Sequence, residues 1–152
     1  MILMLPLALL ANGIAAGVLL GGELGVVPYF KSLPVDRYIH AHTFVTGRYD
    51  PFQPICMLIT VILDITIAVT TAQPAVRLLC VAAVLAILCV IGVARTRTAR
   101  MARWLKKADP AALPADFDPV AFRTSWSTWN RRRVGLGVAA FACNVAAAGV
   151  LL

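Results

Sequence analysis

Four stretches of this chain, residues 2–22, 52–72, 76–94 and 134–152, are almost free of charge. Each is close to the roughly 20 residues that a helix needs to cross a hydrocarbon core. No other feature of the sequence constrains the fold as tightly. The runs do not alternate apolar and polar residues, so they are not barrel strands. With no water inside a bilayer to satisfy the backbone, only helices remain. The composition agrees: 14% of the residues are charged, against about 25% in soluble domains, so lipid must serve as the solvent. The expected fold is all-α, an integral membrane four-helix bundle forming one domain, with helices at about 2–27, 52–72, 76–107 and 119–152. A short interfacial helix or loop should join helices 1 and 2, and helices 3 and 4 should carry cytoplasmic extensions. The first run has no lysine or arginine ahead of its apolar core, so it reads as a retained helix rather than a signal peptide.

The fourteen basic residues lie in three loops. Lys31, Arg37 and Arg48 follow helix 1, Arg77 alone separates helices 2 and 3, and the other ten run from Arg95 to Arg133. The first and third loops share a side, so the positive-inside rule makes the basic loops cytoplasmic and puts both termini outside. The high net charge of +7 is thereby explained as a topology signal, and no nucleic acid partner is expected. The four cysteines lie in helical runs without a C-x-x-C pair, which argues against disulfide exchange.

Gly13, Gly17, Gly21 and Gly25 recur every four residues on helix 1. Such a stripe lets membrane helices approach closely, within the bundle or in a homo-oligomer. Pro34 could open a short helix through about Phe44, and Asp118 before Pro119 is a helix start. Phe122, Trp126 and Trp129 then form one aromatic face, read as a membrane anchor or a stacking surface.

Polar groups inside the spans are expensive, and so they are informative. Asn12, Asp64 and Asn144 each lie about 12–15 Å from an outer helix end, near the midplane. Eleven residues make three turns plus about 20°. Asn12 with Glu23, Gln53 with Asp64, and Arg133 with Asn144 all have that spacing. Three stripes would then run from the cytoplasmic mouth to mid-bilayer and enclose a polar pocket, with Asn130 near the third. The alternative is interhelical glue, with the midplane trio bonded to one another and Glu23 paired with Arg133.

The segment "YIHAHTFVTGRYDPFQP", residues 38–54, holds both histidines. In an extended loop His40 and His42 would share a side and could hold one metal, with Glu23 or Asp50 as the carboxylate. On a helix they diverge by about 200°, Asp36 meets His40, and Tyr38 meets His42, an arrangement suited to a general base. They could equally be interfacial histidines without chemistry. Arg48 and Asp50 flank a turn expected at Gly47 and Pro51, where Asp50 could cap helix 2.

The small-residue first helix with "NGIAAG", the proline-marked start of helix 2 and "WNRRRVGLGVAAF" leading into helix 4 together resemble the anthrone-oxygenase-like family of small integral membrane proteins. The matching positions are Asn12, Gly13 and the Asn130-x-x-Arg133 step. The resemblance implies a bacterial plasma-membrane oxygenase of secondary metabolism that converts a lipophilic aromatic substrate, such as an anthrone, to a quinone with dioxygen. His40 or His42 would be the base, with Asp50 and Arg133 beside them as catalytic candidates. Arg133, Asn130 or Tyr38 would stabilise the oxyanion, and Asn12, Glu23, Tyr38, Arg48, Asp64, Asn130 and Asn144 would line the substrate site. The cofactor is open: a redox metal, copper or iron, held by His40, His42 and Glu23, or none. Two other classes compete. One is a non-catalytic membrane partner that uses the glycine stripe and the basic loop to hold another protein or anionic lipid, and the other is a small transporter coupling protons through Asp64.

Overall fold

The computed structural model describes residues 3–151, apart from the side chains of Asp50 and Pro51. Four long helices make up the bundle: α1 (Met4–Ser32), α2 (Val35–Thr70), α3 (Pro74–Lys107) and α4 (Pro119–Leu151). All four are long and apolar enough to cross a membrane. α1 and α3 sit diagonally, each packed against both α2 and α4. At 29 to 36 residues, the helices exceed a bilayer core of about 30 Å by several turns. The surplus gathers at one end of the bundle, the end that carries the basic residues.

The segment between the first two spans differs from expectation. It is helical from Val35, as Pro34 suggests, but it does not stop near Phe44, and no turn forms at Gly47 and Pro51. α2 continues unbroken through Pro51 and Pro54 to Thr70. Proline inside a helix removes a backbone hydrogen bond and costs about 3 kcal/mol. Tertiary packing offsets that loss here: Tyr38 and Ile39 on the first turns of α2 are buried with Val27 and Phe30 of α1, Leu105 of α3 and Trp126 of α4. The link between α1 and α2 is only Leu33 and Pro34. Arg123 of α4 reinforces it by donating to the Leu33 carbonyl at 2.8 Å and the Lys31 carbonyl at 3.4 Å.

Two helices contain a π turn, Gly22–Val26 in α1 and Ala94–Thr98 in α3. Both lie where an apolar span passes into a charged extension. Asp118 starts α4 as expected, its Oδ1 accepting from the Val120 and Ala121 amides at 2.9 and 3.0 Å. At the opposite end, Arg77 donates to the carbonyls of Ala68 and Thr71 and closes the α2–α3 turn. The lone basic residue of that side is thus used inside its own chain.

Three buried clusters stack along the bundle. Leu5, Ile67, Val76, Cys80 and Ala147 close the far end. Leu19, Met57, Ile87, Val134 and Ala140 fill the middle. The aromatic cluster around Phe30 and Trp126 occupies the charged end. Leucine, isoleucine and valine side chains such as Leu7, Ile62, Leu85 and Val138 face outward, as they should where lipid replaces water.

The glycine stripe divides. A Cβ added at Gly13 would come 3.1 Å from Phe141, whereas Gly17, Gly21 and Gly25 face open space. The tightest glycine lies elsewhere, at Gly137, where a Cβ would meet the tip of the Leu19 side chain at 2.7 Å. Gly137→Val should therefore destabilise the bundle by about 1–3 kcal/mol through overpacking. Gly17→Ala should leave it unchanged or up to about 1 kcal/mol more stable. Equilibrium unfolding in detergent measures both, and equal losses at the two positions would contradict this packing.

Candidate functional site

The polar residues converge where the spans meet their charged extensions, and α4 organises them. Within one turn of that helix, three side chains reach the other three helices. Asn130 Nδ2 donates to Glu23 Oε2 of α1 at 2.9 Å. Arg133 donates to Thr98 Oγ1 of α3 at 3.2 Å and to Gln53 Oε1 of α2 at 3.4 Å. Arg131 adds an ion pair to Glu23 Oε1 at 3.1 Å. Gln53, Thr98 and Asn130 are buried, and Arg133 is half-buried. Glu23, Gln53 and Arg133 therefore face a common interior, as the eleven-residue spacing implies. One pairing is corrected: Glu23 is held by Asn130 and Arg131, not by Arg133. Glu23 lies within the π turn of α1, Gly22–Val26, beside Asn130 and Arg131 of α4.

Asn12, Asp64 and Asn144 lie deeper along the same interior, all buried. The Asn144 side chain faces the Asp64 carboxyl, but neither Asp64 oxygen has a hydrogen-bond partner within ordinary geometry. The Asn12 Nδ2 and both polar atoms of Asn144 are also unsatisfied. Thr60, one turn from Asp64, instead donates to the Cys56 carbonyl of its own helix at 2.9 Å.

Two cavities flank the cluster. The smaller, about 60 Å³, lies among α1, α2 and α4 and touches Gly22, Phe30, Gln53, Asn130 and Arg133. It has room for a water or two. The larger, about 380 Å³, lies between α2 and α3. Pro54, Met57, Leu58 and Ile91 form its apolar walls, and Gln53, Thr98 and Arg133 form its polar end. Leu58 is exposed on the outer surface, so the cavity reaches the side of the bundle that lipid would cover. Thr46, Gln53, Trp126 and Arg133 line both cavities and separate them.

The two histidines part company. Because the segment is helical, His42 points inward with no exposure and His40 outward. The expected metal set of His40, His42 and Glu23 is not assembled, since two ring positions about 200° apart on a helix cannot share a ligand. Among the described residues no three His, Cys, Asp or Glu side chains gather to hold a metal. His42 sits in an aromatic box, its ring centroid 5.0 Å from Trp126, 5.2 Å from Phe30 and 5.6 Å from Tyr38. Neither of its ring nitrogens has a hydrogen-bond partner. The expected Tyr38–His42 contact is thus present as an edge-on pair of rings, while Asp36 and His40 are both exposed.

Tyr38 is buried beneath the Arg123 guanidinium, 4.4 Å from its ring centroid. Arg48 is outside the site: it is exposed, donates to the Phe44 carbonyl and stacks on the Phe44 ring. The Asp50 side chain, a catalytic candidate, lies outside the described residues. Its backbone is in mid-helix, so it caps nothing.

The aromatic face of α4 also divides: Trp126 points inward to His42, Phe122 packs with Trp104 and Phe117, and Trp129 carries arginines. Thr98, Phe30 and Thr46 were not legible as site residues. Thr98 lies in a basic run that reads as a headgroup contact, and Phe30 and Thr46 carry no periodic signal. No family model, curated protein or solved structure matches the chain.

Asn130 is buried and Glu23 half-buried, so their hydrogen bond should carry more than the ion pair at the surface, where the Arg131 side chain is 72% exposed. A double-mutant cycle on Glu23 and Asn130 should give a coupling of about 1 kcal/mol or more, and the Glu23–Arg131 cycle less than about 0.5 kcal/mol. Unfolding in detergent reads both, and a reversed order would contradict the assignment.

Proposed function

We propose that this protein is a membrane-embedded oxygenase acting on a flat, lipophilic, anthrone- or quinone-like substrate. The observation that carries the reading is the cavity between α2 and α3. Its size falls within the range of small-molecule sites, its walls are apolar, and its inner end presents a fixed cationic donor, Arg133. In this reading the basic end faces the cytoplasm, and substrate enters sideways from the bilayer with its oxygenated edge toward Arg133, Thr98 and Gln53.

An anthrone methylene is acidified by the ring carbonyl. Loss of one proton leaves an electron-rich anion whose charge rests on the carbonyl oxygen, where the Arg133 guanidinium would stabilise it. Reaction of that carbon with dioxygen places one oxygen atom in the new carbonyl. The other oxygen leaves as water with the two hydrogens of the oxidised methylene. His42 is the base candidate that remains inside the bundle. Trp126 lines the cavity and touches His42, so in this reading it is the movable wall between base and substrate.

A second reading, a non-catalytic membrane partner, draws on the open space in front of Gly17, Gly21 and Gly25. The transporter reading is weaker because Leu5, Ile67 and Val76 close the far end with apolar packing.

Oxygen uptake by the purified protein with a hydroxylated anthrone tests the proposal. Arg133→Gln should lower kcat/KM about 10²-fold, the loss expected for an oxyanion donor. His42→Gln should reduce kcat strongly, Leu58→Trp should raise KM by narrowing the cavity, and His40→Gln should change neither constant. Absence of turnover above background across several tricyclic substrates would favour the partner reading.

A further inference from the structure

We propose that Arg97 and Arg132, held against the indole of Trp129, form a docking point for the phosphate of an anionic phospholipid. The inference does not depend on the catalytic reading. Arg97 comes from the π turn of α3 and Arg132 from α4, with guanidinium carbons 4.8 and 4.5 Å from the Trp129 ring centroid. Two like charges from different helices thus converge on one ring. Among the described residues the ion pair joins Glu23 to Arg131, and no described carboxylate forms an ion pair with Arg97 or Arg132. A guanidinium lying over an aromatic face still presents its N–H edge, the edge that binds phosphate in a bidentate fork.

Depth selects the ligand. Arg132 stands two residues before the apolar run that opens at Val134, and Arg97 follows the apolar part of α3 by less than one turn. Both guanidinium groups therefore lie at the level of the lipid phosphates, where tryptophan is also favoured. On α4 the positions one and three turns further along the same line are Leu136 and Cys143, both partly buried against the core. They offer an acyl chain an apolar lane directly above the two charges. A free anion would have no use for that lane.

The test is native mass spectrometry of the purified protein in neutral detergent, with dioleoyl phosphatidylglycerol, dioleoyl phosphatidylcholine or inorganic phosphate added. The wild type should retain phosphatidylglycerol over phosphatidylcholine, and Arg97→Gln/Arg132→Gln should lose about tenfold in phosphatidylglycerol affinity. The control Arg100→Gln/Arg103→Gln, with the same loss of charge, should stay within about twofold of wild type. An equal loss in the control would mean diffuse electrostatics and would overturn the site, as would an unchanged Arg97/Arg132 variant. Displacement of the lipid by equimolar inorganic phosphate would overturn the lipid assignment. If the glutamine pair does not fold, Arg97→Lys/Arg132→Lys keeps the charge but removes the planar fork. A severalfold loss of lipid there supports the proposal, and full retention defeats it.

Discussion

One turn of α4 holds the bundle together where lipid gives way to the charged end. In hydrocarbon, helices gain nothing by burying apolar faces against each other rather than against acyl chains, so packing and interhelical hydrogen bonds must specify the arrangement. The bonds from Asn130 to Glu23 and from Arg133 to Thr98 and Gln53 reach every other helix from that single turn. They also fix the geometry of the larger cavity, because the same Arg133 that ties α2 to α3 forms its polar end. Stability and the candidate chemistry thus rest on the same side chains. A substitution at Arg133 perturbs both, whereas Leu58 alters access while leaving the ties intact.

The spans were legible because a run of about 20 apolar residues has few other fates. The inward direction of Gln53, Asp64, Asn130 and Asn144 was legible too, because α2 and α4 are regular helices through those positions and rotation accumulates at about 100° per residue. The partner of Glu23 was less legible: the glue alternative paired it with Arg133, whereas Glu23, inside a π turn, meets Asn130 and Arg131. A π turn changes the phase of everything beyond it, and its hydrogen-bond register leaves no signature in hydropathy. His40 and His42 illustrate a different limit. Their spacing is compatible with a shared ligand or with opposed faces, and only the backbone conformation decides. Gly47 and Pro51 suggested a turn before the second span, but the helix runs on through both, anchored by long-range contacts from Tyr38 and Ile39.

The interior carries polar groups at two levels, around Arg133 and around Asp64, with the apolar layer of Leu19, Met57, Ile87, Val134 and Ala140 packed in the middle of the bundle. It closes at the far end, where Leu5, Ile67, Val76 and Ala147 meet. The deepest polar groups are also the least satisfied: neither Asp64 oxygen and neither polar atom of Asn144 finds a partner. Unsatisfied polar groups in a low-dielectric core are costly, and evolution would more cheaply place alanine or leucine there. Asn144 of α4 stands opposite the Asp64 carboxyl of α2, so the two polar groups face each other across the bundle. What they do provide is a pair of polar side chains on facing helices at mid-span, both buried inside the bundle.

His42 presents the same logic at the other end of the interior. An imidazole enclosed by Phe30, Tyr38 and Trp126 without a hydrogen bond contributes little stability that a leucine of similar volume could not. Its ring nitrogens are nonetheless only one side chain removed from the cavity, because Trp126 both packs on His42 and lines that space. In the proposed reaction, a base held behind the Trp126 indole would be unproductive until substrate fills the cavity and shifts the indole. Such an arrangement would couple proton removal to occupancy, and it would keep water from the base in the empty protein. Position therefore decides between the histidines: His40, exposed on the opposite side of the same helix, has no ring to shield it and no cavity to serve.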